Sequence, residues 1–392
     1  MISNYKKLFS RLHNAKAGIL TNQSAFGMMN TYHFEIYKEY VNAKYLFLPE
    51  HGLFAELQDQ VSGSGLRYNY EGLEIANLYG DDERSLEIDK EILKKIDVLI
   101  IDIKDVGSRY YTYLTTAFYL LQSISQHNKE KNSNWIEVIV IDSPNPIGRK
   151  VEGSPLQEEF VSFVGVEGIL HRHGFTPAEL LSFYNQRFRF NIKLSIVPIG
   201  PIHPKKVNSF AWVPPSPNIP TSNTCYVYPG QCLLEGTNMS EGRGTTKPFE
   251  IFGAPYIDIQ NKSLLKKLSL HQKDRFLLRP LMFMPTFHKH QNQLCGGYQL
   301  IVNRKKKFHS LLFSLYMIRT IREQYPKQFA YHQGIYEFRS NKTAIELLTG
   351  DRFILDYLEG KNEYRELKEY FDDCESYWKK LRSKFLLYKS LS

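Results

Sequence analysis

The sequence predicts an α/β fold: a mostly parallel, doubly wound sheet followed by a second, smaller α+β domain. Two observations carry this. Aliphatic and β-branched runs recur through the first half and alternate with segments of helical period, the pattern of consecutive βαβ units. A proline-rich passage then ends the alternation, and the remainder is less regular.

The strand runs are AGILTN (17–22), KYLFLP (44–49), DVLIIDI (97–103), IEVIVID (136–142) and KLSIVPI (193–199). They are continuously apolar rather than alternating, which suits strands buried on both faces. Helical spacing falls over roughly 30–41, 86–95, 110–127 and 176–189. GFTPAELLSF carries a helix start, with Thr176 as N-cap, Pro177 at the first helical position and Glu179 where a capping box needs it. PIGPIHP and WVPPSPNIP cannot lie inside helices or central strands, because proline has no amide to donate. They place a boundary near residue 210, dividing domains 1–210 and 211–392. The second domain is expected to hold a Gly-rich loop region over 228–255, a strand GGYQLIV (296–302) and helices near 309–324, 343–349 and 363–387. The last has apolar residues at helical spacing and reads as a packing helix.

A chain of 392 residues can bury a sizeable core, and 42% hydrophobic with 23% charged residues is the balance of a soluble globular protein. The net charge is +9, yet Lys and Arg are dispersed, with KKK at 305–307 the densest run. No nucleic-acid partner is expected from so diffuse a pattern. Aromatic residues make up 14%, which serves either aromatic cores or the stacking of sugars and bases. The four cysteines, Cys225, Cys232, Cys295 and Cys374, form no CxxC pair and no zinc spacing, as fits a reducing compartment. The start MISNYKKLFSRLHNAKAGIL has no apolar h-region, and no run is long enough to span a bilayer. A cytoplasmic chain without a membrane span is expected.

The strand ends are unusually polar. Asn22 follows the first, Glu50 and His51 the second, Asp102, Asp105, Arg109, Tyr110 and Tyr113 the third, and Asp142 and Asn145 the fourth. In a parallel sheet these ends share one edge, so they are expected to converge on an active-site rim. No GxGxxG follows the first strand, GRGTTK (242–247) lacks the GK[ST] order of a P-loop, and no GxSxG elbow occurs. The pairs His171–His173 and His288–His290 point apart if extended, so they read as loop histidines rather than metal ligands. No cofactor or metal is expected. Carboxylates, an arginine, tyrosines and amides remain, a set suited to acid/base chemistry on a polyhydroxylated substrate. The stretch YPGQCLLEGTNMSEGRGTTKPFEIFGAP (228–255) holds Glu235, Asn238, Ser240, Glu241, Arg243 and Thr245. Its backbone and Arg243 could cradle an anionic group, or Arg243 could pair with Glu235 or Glu241.

The blocks GILTNQSA, LFLPEHGLF, DVLIIDIKDVGSRYYTYL, VIDSPNPIG, VEGSPLQ, HRHGFTPAEL, PPSPNIPT, YPGQCLLEGTNMSEGRGTTKPFEIFGAP and CGGYQL resemble the exo-β-N-acetylmuramidase (NamZ-like) family. The resemblance runs from about residue 17 to past residue 350. It implies a Rossmann-like N-terminal domain, a C-terminal companion and a cleft between them. It implies release of N-acetylmuramic acid from the non-reducing end of peptidoglycan fragments, with Glu50 of the PEHG block as the favoured catalytic carboxylate. The chain departs from the family pattern at Lys104, Ser143, Ala178 and in the stretch after PEHG.

On this basis Glu50 is the expected general acid. His51 would orient it or hold substrate, and Asp105 would be the second carboxylate, with Asp102 next. Asn22, Asp102, Arg109, Tyr110, Asp142, Asn145, Glu235, Ser240, Arg243 and Thr245 are the expected substrate-binding residues. Arg243 is the first candidate to hold the lactyl carboxylate of muramic acid, and Arg109 the competitor. The expected partners are peptidoglycan-derived sugars, met by a monomer or weak homo-oligomer. The rival readings are a non-catalytic cell-wall sugar-binding protein on the same fold, a nucleotide-dependent enzyme and a nucleic-acid binder.

Overall fold

The computed structural model describes residues 10–388, apart from 28–29, 58–60, 64–67, 69, 71, 131–132, 199–211 and 273. Four apolar runs of the first half become strands β1 (Lys16–Thr21), β2 (Asn42–Leu48), β4 (Val98–Asp102) and β5 (Glu137–Ile141), and β3 (Glu74–Asn77), which no apolar run marks, joins them. The chain then forms a short antiparallel pair, β6 (Glu152–Pro155) and β7 (Leu170–Arg172), and returns as β8 (Leu194–Val197). The main sheet has the order β3-β2-β1-β4-β5-β8, with every neighbouring pair parallel. This is a Rossmann-like order. Its direction reverses between β1 and β4, the topological switch point, with the loop after β2 on one side and that after β4 on the other.

Both faces of the sheet are covered, which is why the strands read as unbroken apolar runs. Alternate residues of β4 enter different clusters. Leu99 and Ile101 pack with Leu114, Ala117, Leu121 and Ile124 of the helix Tyr113–Lys129. Val98 and Ile100 pack with Phe34 and Tyr37 of the helix His33–Lys38. The helix Pro177–Arg187 starts where the sequence places it: Thr176 Oγ1 accepts from the Glu179 amide at 3.4 Å, and Glu179 Oε2 accepts from the Thr176 amide at 2.9 Å.

The second half holds an antiparallel sheet of β9 (Ile251–Ala254), β10 (Phe276–Phe283) and β11 (Cys295–Val302), in the order β10-β11-β9. Leu367, Phe371 and Trp378 of the helix Tyr364–Arg382 join the large cluster that includes Leu99 and Ile101. The Trp378 indole donates to the His173 carbonyl at 2.9 Å, so this is the packing helix that its periodicity predicts.

Several elements depart from the sequence reading. Residues 228–255 are not one loop, because the helix Ser222–Gln231 and a 3₁₀ turn Cys232–Gly236 occupy its start and β9 its end. Pro229 argues against a helix there. Packing overrides it: the Gly230 amide donates to Ser310 Oγ at 2.9 Å, and a Cβ at Gly230 would lie 2.2 Å from the Ser310 carbonyl oxygen. The helix expected over 86–95 shrinks to the single turn Lys90–Leu93 behind a 3₁₀ turn Glu83–Leu86. β10 escaped notice because Pro280 interrupts it, which an edge strand tolerates. The boundary near residue 210 lies outside the described residues. Among the described residues no helix is long and apolar enough to cross a membrane.

Asp102, Glu152 and Glu241 are among the fully buried carboxylates. Burial opposes their ionisation, but Lys104 and His33 at Asp102, Lys150, His309 and Arg172 at Glu152, and Lys289, His288 and Arg243 at Glu241 outweigh it. All three are held below the ordinary carboxylate range, Glu152 at about 2. A depressed acid stabilises the fold above its unfolded pKa, and that stability is lost as pH falls through the folded value. The denaturant midpoint should therefore hold near neutrality and fall between about pH 5 and about pH 2. Equilibrium unfolding in urea across that range checks this; an unchanged midpoint would contradict it.

Candidate active site

The apolar run of β2 ends at Leu48, and the chain turns sharply through Glu50, His51 and Gly52. His51 and Gly52 take left-handed φ values of 78° and 83°. A non-glycine residue held there costs about 1 kcal/mol or more, strain of the kind that clusters at functional sites. The turn brings both Glu50 and His51 to one cavity. Glu50 is 8% exposed, and its Oε2 accepts from Thr112 Oγ1 at 3.0 Å. His51 Nδ1 lies 3.9 Å from Glu50 Oε1, and its ring meets Tyr113 edge-on at 6.2 Å. Thr112 and Tyr113 begin the helix that follows β4, so the wall straddles the switch point between β1 and β4.

A second wall comes from the proline-rich connector, which supplies Ser216, Asn218 and Ile219. Two residues just past β1 pin it: Gln23 Nε2 donates to the Pro214 carbonyl and Ser24 Oγ to the Val213 carbonyl, both at 2.7 Å. The second half closes the cavity with Tyr228, Cys232, Glu235, Arg243, Phe249, Tyr336 and Glu337. Glu235, in the 3₁₀ turn, accepts from Arg243 Nη2 at 2.7 Å and from Tyr336 Oη at 2.6 Å. Arg243 Nε lies 3.2 Å from Glu241 Oε1, and its guanidinium sits 5.1 Å from the centre of the Phe249 ring. Gly242 and Gly244, at φ 80° and 75°, give the loop the left-handed turns that flank Arg243. Burial pushes the Tyr111, Tyr228 and Tyr336 hydroxyls well above their ordinary range, so they remain neutral donors.

The family model described as "Exo-beta-N-acetylmuramidase NamZ, N-terminal" matches residues 17–223, and its C-terminal companion matches 226–388. The chain belongs to the NamZ family. It is 34% identical over 396 residues to the peptidoglycan β-N-acetylmuramidase NamZ of Bacillus subtilis (strain 168), an alignment covering 99% of this chain and 90% of the relative. Among solved structures it is similar to two DUF1343 family proteins of Bacteroides fragilis, each 25% identical. One has a TM-score of 0.81 over 99% of this chain and 98% of its own, the other 0.71 over 98% and 97%.

Of the residues singled out in the sequence, Glu50, His51, Tyr110, Tyr113, Glu235 and Arg243 line the NamZ cavity. Tyr110 presents its ring, because its hydroxyl donates to the Pro229 carbonyl. The others do not line it. Asp105, expected as the second carboxylate, borders a separate small cavity with Arg109 and His173. Its Oδ2 accepts from the Gly107 amide at 2.6 Å and lies 3.6 Å from His173 Nε2. Asp102 is sealed at the end of β4, bonded to His33 at 2.8 Å, to Tyr37 at 2.6 Å and to Lys104. Asn22 clamps the Lys104 backbone through both its amide atoms, at 3.1 and 3.0 Å.

Arg109 donates to the carbonyls of Ile169, Leu348 and Thr349, and burial pulls its pKa down to about 10. It therefore joins the two halves rather than meeting an anion. Asp142 accepts from Thr176 Oγ1 at 2.9 Å and the Ala178 amide at 3.0 Å, at the start of a helix. Asn145 donates to the Phe175 carbonyl and accepts from the Ile147 amide, both at 3.0 Å. Ser240 accepts from the Gly242 amide at 3.1 Å, and Thr245 donates to the Gly242 carbonyl at 2.6 Å, so both shape the loop. The shared sheet edge thus does not make a shared rim, since most of these polar ends satisfy buried groups of neighbouring segments.

Two departures from the NamZ pattern find local roles: Lys104 neutralises buried Asp102, and Ala178 sits fully buried at the capped helix start. His171 is not a loop histidine but lies in β7, buried, with Nε2 2.9 Å from the Thr349 carbonyl. Among the described residues no group of three or more His, Cys, Asp or Glu is placed to hold a metal. Sequence reasoning passed over Tyr111, Thr112, Ser216, Asn218, Tyr336 and Glu337 as cavity residues. The contiguous YYTY of 110–113 was a usable signal for the first two, and nothing local marks the last two.

Proposed function

We propose that this chain is an exo-acting glycosidase that releases N-acetylmuramic acid from the non-reducing end of peptidoglycan fragments, with Glu50 as its general acid. The observation that supports this best is the placement of Glu50: a carboxyl 8% exposed, bonded by neutral Thr112, beside the switch point, in a cavity walled by tyrosines and hydrogen-bonding groups. In the reaction Glu50 gives its proton to the glycosidic oxygen, and the bond from that oxygen to the anomeric carbon breaks. Water supplies hydroxide to that carbon, and the second proton of the water restores Glu50. The reaction balances with water alone.

The family description and the Bacillus relative support the muramic acid specificity. Incubation with the disaccharide of N-acetylmuramic acid β-linked to N-acetylglucosamine, followed by mass analysis, tests the reading. The expected products are the two free amino sugars. An intact disaccharide, or equal cleavage of a fragment ending in N-acetylglucosamine, would overturn it.

A further inference from the structure

Besides an acid, glycoside hydrolysis draws on a negative charge near the anomeric carbon, where the transition state becomes positive. Asp105 borders another cavity, where its Oδ2 accepts from the Gly107 amide. Two carboxylates other than Glu50 border the active cavity, Glu235 and Glu337. Glu337 stands at a left-handed φ of 44° and accepts from Tyr79 Oη at 3.0 Å. It also borders a wider neighbouring cavity with Tyr79 and Asp81, so it sits at the rim between the two.

We propose that Glu235 is the second catalytic carboxylate, the anion that faces the developing positive charge while Glu50 protonates the leaving oxygen. This rests on the hydrolase reading above and adds its missing group. Each Glu235 oxygen accepts from one fixed donor, Arg243 on one side and Tyr336 on the other. A carboxylate oxygen has two lone pairs, so one donor apiece fixes the group and leaves capacity for substrate. Arg243 is fixed in turn by Glu241, which is buried and paired with Lys289 at 3.0 Å and His288 at 3.2 Å. Lys289 is itself anchored on the Leu234 carbonyl at 2.7 Å and the Met239 carbonyl at 3.2 Å. Charges therefore alternate from Lys289 through Glu241 and Arg243 to Glu235, and the series ends at the cavity. Glu50 accepts from the Thr112 hydroxyl, whereas Glu235 accepts from a guanidinium and a phenol.

The test compares Glu50→Gln and Glu235→Gln on two substrates, the muramic acid–glucosamine disaccharide and a dinitrophenyl β-N-acetylmuramide. The second has a leaving group that departs without a proton. Glu235→Gln should lose at least about 10³-fold in kcat on both, whereas Glu50→Gln should lose that much on the disaccharide alone. Glu235→Asp keeps the charge beside Arg243 and withdraws it by one methylene. It should lose at least about 10-fold on both substrates and decides the matter if the Gln variant does not fold. Wild-type rates in Glu235→Asp, or a Glu235→Gln enzyme within about 10-fold of wild type on the aryl muramide, would overturn the assignment. So would the double loss appearing in Glu337→Gln instead. If the wild type itself leaves both substrates intact, the hydrolase reading fails; if only the Glu235 variants behave as wild type, that reading stands and Glu235 is not its second carboxylate.

Discussion

Glu50→Gln should lower kcat on the natural disaccharide by about 10³-fold, roughly 4 kcal/mol in barrier height, while leaving the fold intact. The amide has the volume and planar shape of the carboxyl, and its carbonyl oxygen can still accept from Thr112 Oγ1, now at 3.0 Å. What it loses is a transferable proton. A sugar alkoxide is a poor leaving group, so the unprotonated path carries the full penalty. KM should change little, because the side chain is replaced by one of equal reach. Steady-state kinetics with a thermal melt of the same preparation gives both readings. A variant with wild-type kcat would remove Glu50 from the chemistry, and one that melts far below wild type would mark it as structural.

Arg243→Ala should unfold at a lower denaturant concentration, by about 3–5 kcal/mol, and its surviving folded fraction should lose kcat. The guanidinium sits between Glu235 at 2.7 Å and Glu241 at 3.2 Å, over the Phe249 ring, and is 8% exposed. Its removal leaves two buried carboxylates with one cation fewer and frees Glu235 to turn away from the cavity. Its stem also packs, so the loss is not one of charge alone. The sequence reading offered Arg243 as a receptor for the lactyl carboxylate, and that role leaves a different signature. A rise in KM for the muramide with kcat and the urea midpoint unchanged would show the guanidinium serving substrate. A joint fall in stability and kcat would show it serving Glu235.

The doubly wound sheet was legible because burial on both faces writes itself into sequence as unbroken apolar runs, as in DVLIIDI and IEVIVID. The Thr176 cap was legible because it is local, with donor and acceptor three residues apart. The helix Ser222–Gln231 was not, since its last turn contains Pro229 and depends on Ser310 and Tyr110, both distant in the chain. The site divides along the same line. Glu50 and His51 stood out as titratable groups ending an apolar run, and the structure places both in the cavity. Asp102, Asp105, Asp142 and Asn145 ended similar runs but close buried hydrogen bonds. A carboxylate that caps a helix and one that faces substrate are the same letter in sequence. Tyr336 holds Glu235 from 101 positions away, with no motif around it.

The proton donated by Glu50 is tested most directly by a leaving group that does not need it. The rate of Glu50→Gln relative to wild type should be about 10⁻³ on the disaccharide and within about 10-fold of unity on the dinitrophenyl muramide. Equal losses on the two substrates, or no loss on either, would contradict the role of Glu50 as the acid.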